Sequence, residues 1–328
     1  MPRSSALSIT IAFLILNGCA TQVGVPDRNS GNKDDLGAAG QGAESAGGVV
    51  GTNIGSAGSG GGVGGTNIGG AGGGASAGAS GGGASGGGDG GASSKNWVGV
   101  IPCDGGPNFW PQGAKAAISM TYDDAMPGQV RHGVPSLDAK GFKGTFFLST
   151  GSRSWNADIW KPLAQSGHEL ASHSVTHNDK ITRAAMEKEV VDSLATIKSL
   201  GVTQPLFSFA YPNGALNGTD GSFAPLVLKH TIAARGLDGA ATKRTDTTDW
   251  GFVSSRILST ADNLNTLVSG VITQGSWLTF VVHGIEDDAY LNIPKAKHDE
   301  LMNILAGKGK EIWVAPFITV ADYMQRCK

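Results

Sequence analysis

The sequence lacks the charge pattern and the apolar length that would direct it toward several protein classes. Its 25 basic and 27 acidic residues nearly balance over 328 residues, and no block of Lys or Arg occurs. This balance gives no sign of binding to nucleic acid or to an anionic membrane surface. The N-terminal apolar run at 9–16 is too short to span a bilayer. From residue 96 onward there is no Gly-x-Ser-x-Gly motif, so no serine nucleophile elbow is indicated.

Aromatic residues are also missing from one long segment. None occurs between residues 24 and 95, where most of the 52 glycines lie among Ala and Ser. Such a segment cannot bury enough apolar surface to offset its ordering entropy. The repeated Gly-Thr-Asn-Ile-Gly at 51–55 and 65–69 provides no hydrophobic face for a solenoid. We therefore expect residues 19–95 to be a disordered linker, with an r.m.s. span of about 45 Å over roughly seventy residues.

The N-terminus is typical of an export signal. Arg3 precedes the apolar run, which ends in Leu16-Asn17-Gly18-Cys19. This ending resembles a bacterial lipobox and predicts a signal peptide over 1–18 with lipidation of Cys19. Ala20 follows, and the absence of Asp there favours the outer membrane of a Gram-negative bacterium; the cell surface or periplasm is the broader expectation. The alternative is an ordinary signal peptide with an incidental Cys.

The remaining residues, 96–328, fit one domain of ordinary size. Of the three cysteines, Cys103 and Cys327 lie near its two ends. Because disulfides persist in exported proteins, we expect these two to pair. The alternative is two separate buried thiols.

Strands and helices alternate along this domain, which predicts an α/β class with parallel pairing. The patterns predict strands at 116–121, 143–148, 169–172, 206–210, 231–234, 277–282 and 312–314. They predict helices at about 130–140, 157–165, 182–200, 223–229, 263–272, 294–306 and 319–326.

Four short segments together predict a metallohydrolase site. They are Thr121-Tyr122-Asp123-Asp124, His173-Ser174-Val175-Thr176-His177, Phe209-Ala210-Tyr211-Pro212 and Val281-Val282-His283. One Asp and two His make a three-ligand metal set with open positions for water and substrate. The other Asp and the last His remain as an acid and base pair. All four segments fall at the C-terminal ends of predicted strands, where the site of a β/α barrel lies.

These residues resemble the polysaccharide deacetylase family, carbohydrate esterase family 4, over about 115–325. The resemblance implies a distorted (β/α)7 barrel. It implies that Asp123 is the general base, that Asp124, His173 and His177 bind the metal, and that His283 is the general acid. Asp and two His suit Zn²⁺ best, and Co²⁺, Mn²⁺ or Ni²⁺ are compatible.

Three positions modify what the resemblance implies. Many members carry Arg where this chain has Ala210, and there the Arg pairs with the base. We expect Arg235 to supply that cation; the alternative is a surface Arg. The backbone N–H of Asn213 corresponds to the oxyanion donor, although its side chain replaces a usual Tyr.

The sequence offers two candidates for a carboxylate that orients His283. Asp246-Thr247-Thr248-Asp249-Trp250 resembles the motif whose Asp orients the acid His. We expect Asp249 in this role, with Asp246 as the alternative. A solvated loop carboxylate is the other interpretation of Asp249.

Four further histidines have no predicted catalytic role. The resemblance makes His168 structural, and we expect His132, His230 and His298 to be exposed.

The sequence therefore predicts an exported, metal-dependent hydrolase, and we expect a monomer. Its expected substrate is an acetylated polysaccharide or oligosaccharide such as chitin, peptidoglycan or an N-acetylglucosamine exopolysaccharide. The alternatives are an acetylxylan esterase and a catalytically silent glycan-binding lipoprotein. A silent binding module would have no need of the base Asp123.

Overall fold

The computed structural model describes residues 100–244, 248–288 and 290–327. The predicted signal peptide, Cys19 and the linker fall outside these residues, as does Asp246. Among the helices of the described residues, none combines the length and apolar character needed to cross a membrane.

The domain alternates strands and helices, as the sequence predicts. Its strands are β1 Ala116–Asp123, β2 Thr145–Leu148, β3 Glu169–Ser172, β4 Ser208–Ala210, β5 Asn217–Gly218, β6 Gly221–Ser222, β7 Ala233–Arg235, β8 Arg256–Ile257, β9 Trp277–Val282 and β10 Ile312–Val314. Its α-helices are α1 Val134–Asp138, α2 Ala157–Trp160, α3 Arg183–Ser199, α4 Ala224–Val227, α5 Leu264–Gln274, α6 Lys295–Gly307 and α7 Phe317–Arg326.

Eight of the strands form one parallel sheet in the order β7-β4-β3-β2-β1-β9-β8, and β10 pairs with the start of β1. The sheet curls, and a parallel bridge joins Arg235 of the edge strand β7 to Val253, three residues before the other edge strand, β8. Strands β5 and β6 form a separate antiparallel hairpin. The architecture is the distorted (β/α)7 barrel that the family resemblance implied.

The two faces of each strand pack in different layers because successive side chains point to opposite sides. On β1, Ile118, Met120 and Tyr122 pack with the helices outside the sheet. Ala117 of β1 faces inward, in a second cluster with Phe147 and Trp277. Alternation along the strands therefore decides which residues reach the interior of the barrel.

Helix α7 closes the base of the barrel, at the N-terminal ends of the strands. Phe317 packs on Trp277 with ring centroids 5.0 Å apart. The buried Glu169 carboxylate accepts hydrogen bonds from the Thr145 hydroxyl at 2.7 Å and the Ile318 N–H at 3.0 Å. This places a carboxylate at the N-terminus of α7, where the helix dipole favours negative charge.

A disulfide joins the two ends of the described domain. Cys103 pairs with Cys327, which directly follows α7, with the two Cα atoms 5.4 Å apart. This is the pairing that the sequence predicts.

All seven predicted strands occur, but the structure corrects two helices and adds strands. The segment predicted as one helix over 157–165 ends its α-helix at Trp160 and continues as a 3-10 helix over Lys161–Gln165. Pro162 explains the change because it lacks the N–H that an α-helix would use. The predicted helix near 130–140 begins instead as a π-helix, Gln129–Gly133. The two-residue strands β5, β6 and β8 are too short to leave a periodic pattern.

Candidate active site

Strand alternation brings four of the predicted site residues to the inside of the barrel mouth. Asp123 lies six residues after the inward-facing Ala117, and His283 lies six after the inward-facing Trp277. His173 and Arg235 each lie two residues after an inward-facing Ala. Even spacing keeps a side chain on the same face of a strand. The four side chains therefore converge at the C-terminal ends of parallel strands.

Asp124 reaches the same space by a different route. It follows β1 and should point away from the interior, but its φ of 72° lies in the left-handed region. The Ser154 hydroxyl donates to the Asp124 carbonyl at 2.7 Å and helps to hold this conformation. Left-handed backbone at a non-glycine residue is strained and persists only where neighbouring contacts impose it.

The loop that carries the two histidines is fixed from α3. The Glu189 carboxylate accepts the N–H groups of Val175 at 2.8 Å and Thr176 at 2.7 Å. His177 has a φ of 59°, and its N–H donates to the Ser174 hydroxyl at 2.9 Å. Sequence reasoning missed Glu189, because it lies among other charged residues of α3 and belongs to no motif.

Asp124, His173 and His177 form the candidate metal-binding set. The Nε2 atoms of the two histidines lie 3.2 Å apart. Asp124 Oδ1 lies 3.6 Å from His173 Nε2 and 3.4 Å from His177 Nε2. A tetrahedral site with bonds of 2.0–2.1 Å has edges of about 3.3–3.4 Å. The separations of the three atoms therefore fit one face of a zinc-like tetrahedron.

The protonation of this set also suits a cation. His173 Nδ1 lies 2.8 Å from the Ala210 carbonyl, so a proton there leaves Nε2 free to bind a metal. Burial lowers the pKa of His173 to about 3, and burial also lowers the pKa of His177. Burial, together with the charge of Asp123, raises the pKa of Asp124 to about 6. A divalent metal binds neutral imidazoles and a carboxylate that is not already paired with Lys or Arg, and this set provides both.

Asp123 and Arg235 form a buried ion pair beside this set. Arg235 Nη2 lies 2.5 Å from Asp123 Oδ2, and its side chain is 3% exposed. Burial acts to raise the pKa of Asp123, but the charges of Arg235, His173 and His283 lower it below its usual value overall. Its other oxygen, Oδ1, has no hydrogen-bond partner among the described residues. The lowered pKa favours the ionised form of Asp123, and one of its two carboxylate oxygens has no partner in the described part of the chain.

The structure thus gives Arg235 the contact that the sequence hypothesis requires. Its guanidinium also lies over the Phe147 ring, 5.1 Å from the centroid, and Nη1 donates to the Ser255 hydroxyl at 3.3 Å. An exposed surface Arg, the alternative interpretation, is excluded because the residue is buried.

Gln129 connects the loops of the proposed base and the proposed acid. Its Nε2 donates to the Asp123 carbonyl at 2.5 Å and to the His283 carbonyl at 2.9 Å. The residue is fully buried in the π-helix after β1. Sequence reasoning missed Gln129 because a single polar residue in a helical segment carries no motif.

His283 lies next to the metal-binding set and lines the same cavity. Its Nε2 is 3.9 Å from Asp124 Oδ2. Its Nδ1 is buried and has no hydrogen-bond partner among the described residues. The imidazole is therefore a buried side chain beside the metal-binding set with one nitrogen that lacks a partner in the described part of the chain.

The prediction that Asp249 orients His283 is wrong, because His283 Nδ1 has no hydrogen-bond partner in the described part of the chain. The Asp249 carboxylate instead accepts the Gly251 N–H at 2.9 Å, two residues further along the chain. This local turn satisfies Asp249 in place of a contact across the barrel. Asp246, the alternative, lies outside the described residues.

Asn213 lies at the cavity wall, as predicted for the oxyanion donor. It follows Pro212 with a φ of 55°, and its side-chain amide donates to Asp179 at 3.1 Å. The cavity has a volume of about 160 Å³. It is lined by Asp123, Asp124, His173, His177, Tyr211, Asn213, Gly214, Arg235, Leu237, Ile257, Val281, His283, Tyr290 and Leu291.

The remaining histidines divide into structural and surface residues. His168 is buried and its Nδ1 accepts the Gly144 N–H at 3.0 Å, which agrees with a structural role. His230 is exposed and His132 is partly buried. The expectation that His298 is exposed is wrong: it is fully buried, and its Nε2 lies 2.7 Å from the Tyr122 hydroxyl. His298 falls on the same helical face as the buried Leu301, Met302 and Leu305, a pattern visible in the sequence.

Comparison with known proteins finds a family match over part of the chain. A family model described as polysaccharide deacetylase matches residues 111–222. This segment includes the adjacent carboxylates, the histidine pair and Asn213. It ends before Arg235 and His283, so the match covers part of the candidate site.

Two curated relatives align over similar lengths. A gellan lyase of Bacillus sp. is 29% identical over 135 residues, which are 40% of this chain and 5% of that protein. The uncharacterized protein YlxY of Bacillus subtilis (strain 168) is 30% identical over 129 residues, 39% of this chain and 37% of that protein. The alignments therefore span only a minor part of either relative.

A solved structure shares the fold. It is a provisionally assigned polysaccharide deacetylase from Mycobacterium smegmatis, with a TM-score of 0.50 and 14% sequence identity. The match covers 66% of this chain and 92% of that one. The solved structure supports the fold, and the family-model match supports the polysaccharide deacetylase family for residues 111–222.

Proposed function

We propose that this chain is a divalent-metal-dependent hydrolase that removes acetyl groups from a carbohydrate polymer. The favoured reaction is N-deacetylation of an N-acetylglucosamine glycan such as chitin, peptidoglycan or an exopolysaccharide. Acetylxylan is the alternative substrate, with an ester in place of the amide.

One observation carries the proposal: an ionised carboxylate, a three-ligand metal set and a separate histidine share one cavity at the barrel mouth. Metal-assisted hydrolysis of an amide or ester by direct attack of water can use these three components as metal site, general base and general acid. A glycan-binding module would need neither a buried ion pair on a carboxylate nor a free imidazole beside it.

In the proposed reaction, each side chain around the metal-binding set would have its own role. A cation held by Asp124, His173 and His177 would polarise the acetyl carbonyl and acidify the attacking water. Asp123 would accept a proton from that water at Oδ1, while Arg235 binds Oδ2 and keeps the carboxylate ionised.

Asn213 and His283 would act on the carbonyl oxygen and on the leaving atom of the substrate. The Asn213 N–H would donate to the developing oxyanion. Protonated His283 would donate a proton to the leaving nitrogen, or to the leaving oxygen if the substrate is an ester. The products would be acetate and the free amine or hydroxyl of the sugar.

The experiment is acetate release from an N-acetylglucosamine pentamer, peptidoglycan fragments and acetylated xylan. A chelator should abolish release, and Zn²⁺, Co²⁺, Mn²⁺ and Ni²⁺ should restore it to different degrees. Release from the pentamer above that from xylan supports N-deacetylation, and the reverse order supports the esterase. Binding of a glycan without acetate release under any metal would contradict the proposal and support a silent binding module.

We also propose that the protein is exported and lipid-anchored through Cys19, with the outer membrane as its site. The lipobox resemblance at 16–19 supports this. Cys19→Ser should move the protein from the membrane fraction to the soluble fraction without changing acetate release. Failure of the wild-type protein to incorporate labelled fatty acid would contradict the anchor alone.

A further inference from the structure

The catalytic cavity has a large share of the exposed apolar side chains. Six large apolar residues are more than one third exposed in the part of the chain that the structure describes: Val100, Val191, Leu228, Ile257, Tyr290 and Leu291. Three of them, Ile257, Tyr290 and Leu291, line this one cavity. Single exposed apolar residues need no explanation, but a group of them beside a polar site indicates a ligand surface.

The segment that carries Tyr290 and Leu291 is held in place by its backbone. The Gly284 N–H donates to the Tyr290 carbonyl at 3.1 Å, and the Ile293 N–H donates to the Gly284 carbonyl at 3.0 Å. Tyr290 and Leu291 are nevertheless 52% and 49% exposed. Their exposure is therefore not that of an unattached loop tip.

A second anchor joins this segment to the loop after β1. The Asp288 carboxylate accepts the Gly128 N–H at 3.0 Å and the Ile285 N–H at 3.1 Å. Leu291 itself has a φ of 40°, in the left-handed region. Strained residues of this kind are common where a backbone is fixed around a ligand.

The proposed chemistry determines which part of a substrate would face this surface. His283 donates its proton to the leaving nitrogen or oxygen, and that atom stays on the sugar. The sugar must therefore lie on the His283 side of the cavity. The Tyr290 ring lies there, edge to face with the imidazole and 5.7 Å from it between centroids.

The charged residues of the cavity wall further limit the kinds of ligand that the cavity can bind. Among the described lining residues, the one Arg or Lys is Arg235, which is buried and paired with Asp123. No lining Lys or Arg in that set is available to a uronate, sulfate or phosphate group. Apolar and aromatic side chains suit the C–H faces of an uncharged sugar ring.

We propose that Tyr290 and Leu291 form a binding subsite for an uncharged pyranose ring next to the reacting acetyl group. This inference rests on the proposed function, because the direction of proton donation places the sugar. It assigns substrate positioning to two residues outside the four predicted motifs.

The test compares steady-state acetate release by the full-length protein and its variants. The substrate is whichever of the N-acetylglucosamine pentamer, peptidoglycan fragments and acetylated xylopentaose the wild type turns over fastest. Tyr290→Ala should raise KM about 3- to 10-fold and change kcat by less than about twofold. Tyr290→Phe should resemble the wild type because it retains the ring.

Leu291→Asn should raise KM less, since Asn tolerates left-handed backbone while removing the apolar surface. Val191→Ala, on the exposed face of α3, is the matched control and should change neither constant. Unfolding midpoints of all variants should agree with the wild type.

Three results would overturn the subsite. An unchanged KM in Tyr290→Ala would show that the ring does not bind substrate. A lower kcat at unchanged KM would show that Tyr290 only positions His283. If the wild type releases no acetate from any of the three substrates, the proposed function fails and the subsite fails with it.

Discussion

The mouth and the base of the barrel are formed by the same strands, but the buried ionisable groups named below differ in their hydrogen-bond partners. At the base, the buried Glu169 carboxylate has three donors, the hydroxyls of Thr145 and Ser208 and the Ile318 N–H. At the mouth, Asp123 Oδ1 and His283 Nδ1 are buried without partners among the described residues.

Backbone strain divides the two ends in the same way. Of the nine non-glycine residues with positive φ in the described part of the chain, seven lie in loops after β1, β3, β4 and β9: Asp124, Ala125, Ser174, His177, Asn213, Glu286 and Leu291. The other two, Phe109 and Gln112, precede β1. The concentration of backbone strain at the mouth indicates that this end is built for binding, while the base stabilises the fold.

The largest expected effect separates the adjacent carboxylates at the mouth. Asp124→Asn should lose bound metal and activity together because it removes a ligand. Asp123→Asn should retain metal, while kcat falls by about 10²–10⁴-fold through loss of the general base. His283→Ala should resemble Asp123→Asn.

Metal content and acetate release are to be measured on the same preparations, together with the unfolding midpoint. Loss of metal in Asp123→Asn with retention in Asp124→Asn would reverse the two roles. Full activity in both variants would show that the active site does not lie at the mouth of the barrel.

At the base, the largest effect should come from the disulfide and should appear in stability alone. Cys103→Ser with Cys327→Ser opens a loop of 224 residues. We expect the free energy of unfolding to fall by on the order of 4 kcal/mol, the upper part of the usual range. Denaturant titration measures this, and reducing agent should destabilise only the wild type. If the folded double variant also lost much of its kcat, the result would contradict the interpretation that the base affects stability and not catalysis.

Arg235 tests whether the mouth depends on its buried cation. Arg235→Met leaves the Asp123 carboxylate buried without its partner, so its pKa should rise and kcat/KM near neutral pH should fall by about 10-fold or more. Arg235→Lys is the control, since it retains the charge and should recover part of the activity. Bound metal should persist in both, and equal activity in all three proteins would show that the ion pair is structural.

The smallest expected effect is a pH-dependent one at the base. Burial raises the pKa of Glu169 from 4.5 to about 7. The folded state therefore keeps a proton that the unfolded state loses, and this contribution to stability disappears as pH rises from 4.5 through 7.

His298 acts in the opposite direction, since burial lowers its pKa to about 4 and its contribution is lost as pH falls. The measurement is consequently the difference between wild type and Glu169→Gln in urea midpoint across pH 4.5–7.5. That difference should vary with pH. A constant difference for Glu169→Gln would contradict the prediction.

Much of the candidate site was predictable because its residues lie close together in sequence. Asp123 and Asp124 are neighbours, and His173 and His177 share one short loop. The strands before them carried enough apolar character to be located, so their C-terminal ends were located as well. The strand predictions were confirmed for the same reason, whereas the two-residue strands left no pattern.

Contacts between segments that are distant along the chain were harder to predict from the sequence. Asp249 was a plausible partner for His283, yet a turn two residues away satisfies its carboxylate. His298 shows the converse case, because its helical register already indicated burial and only its histidine identity argued for the surface.

The sequence by itself determined the α/β class, the order of the strands along the chain and the identity of the local metal-ligand candidates. Hydrophobic periodicity and short-range spacing encode these features. The tertiary structure decided that Arg235 pairs with Asp123, 112 residues away, and that Gln129 joins the loops of Asp123 and His283. It also decided that Tyr290 faces the cavity. Such contacts depend on which strands become neighbours in the curled sheet and on left-handed turns, and neither is written in local spacing.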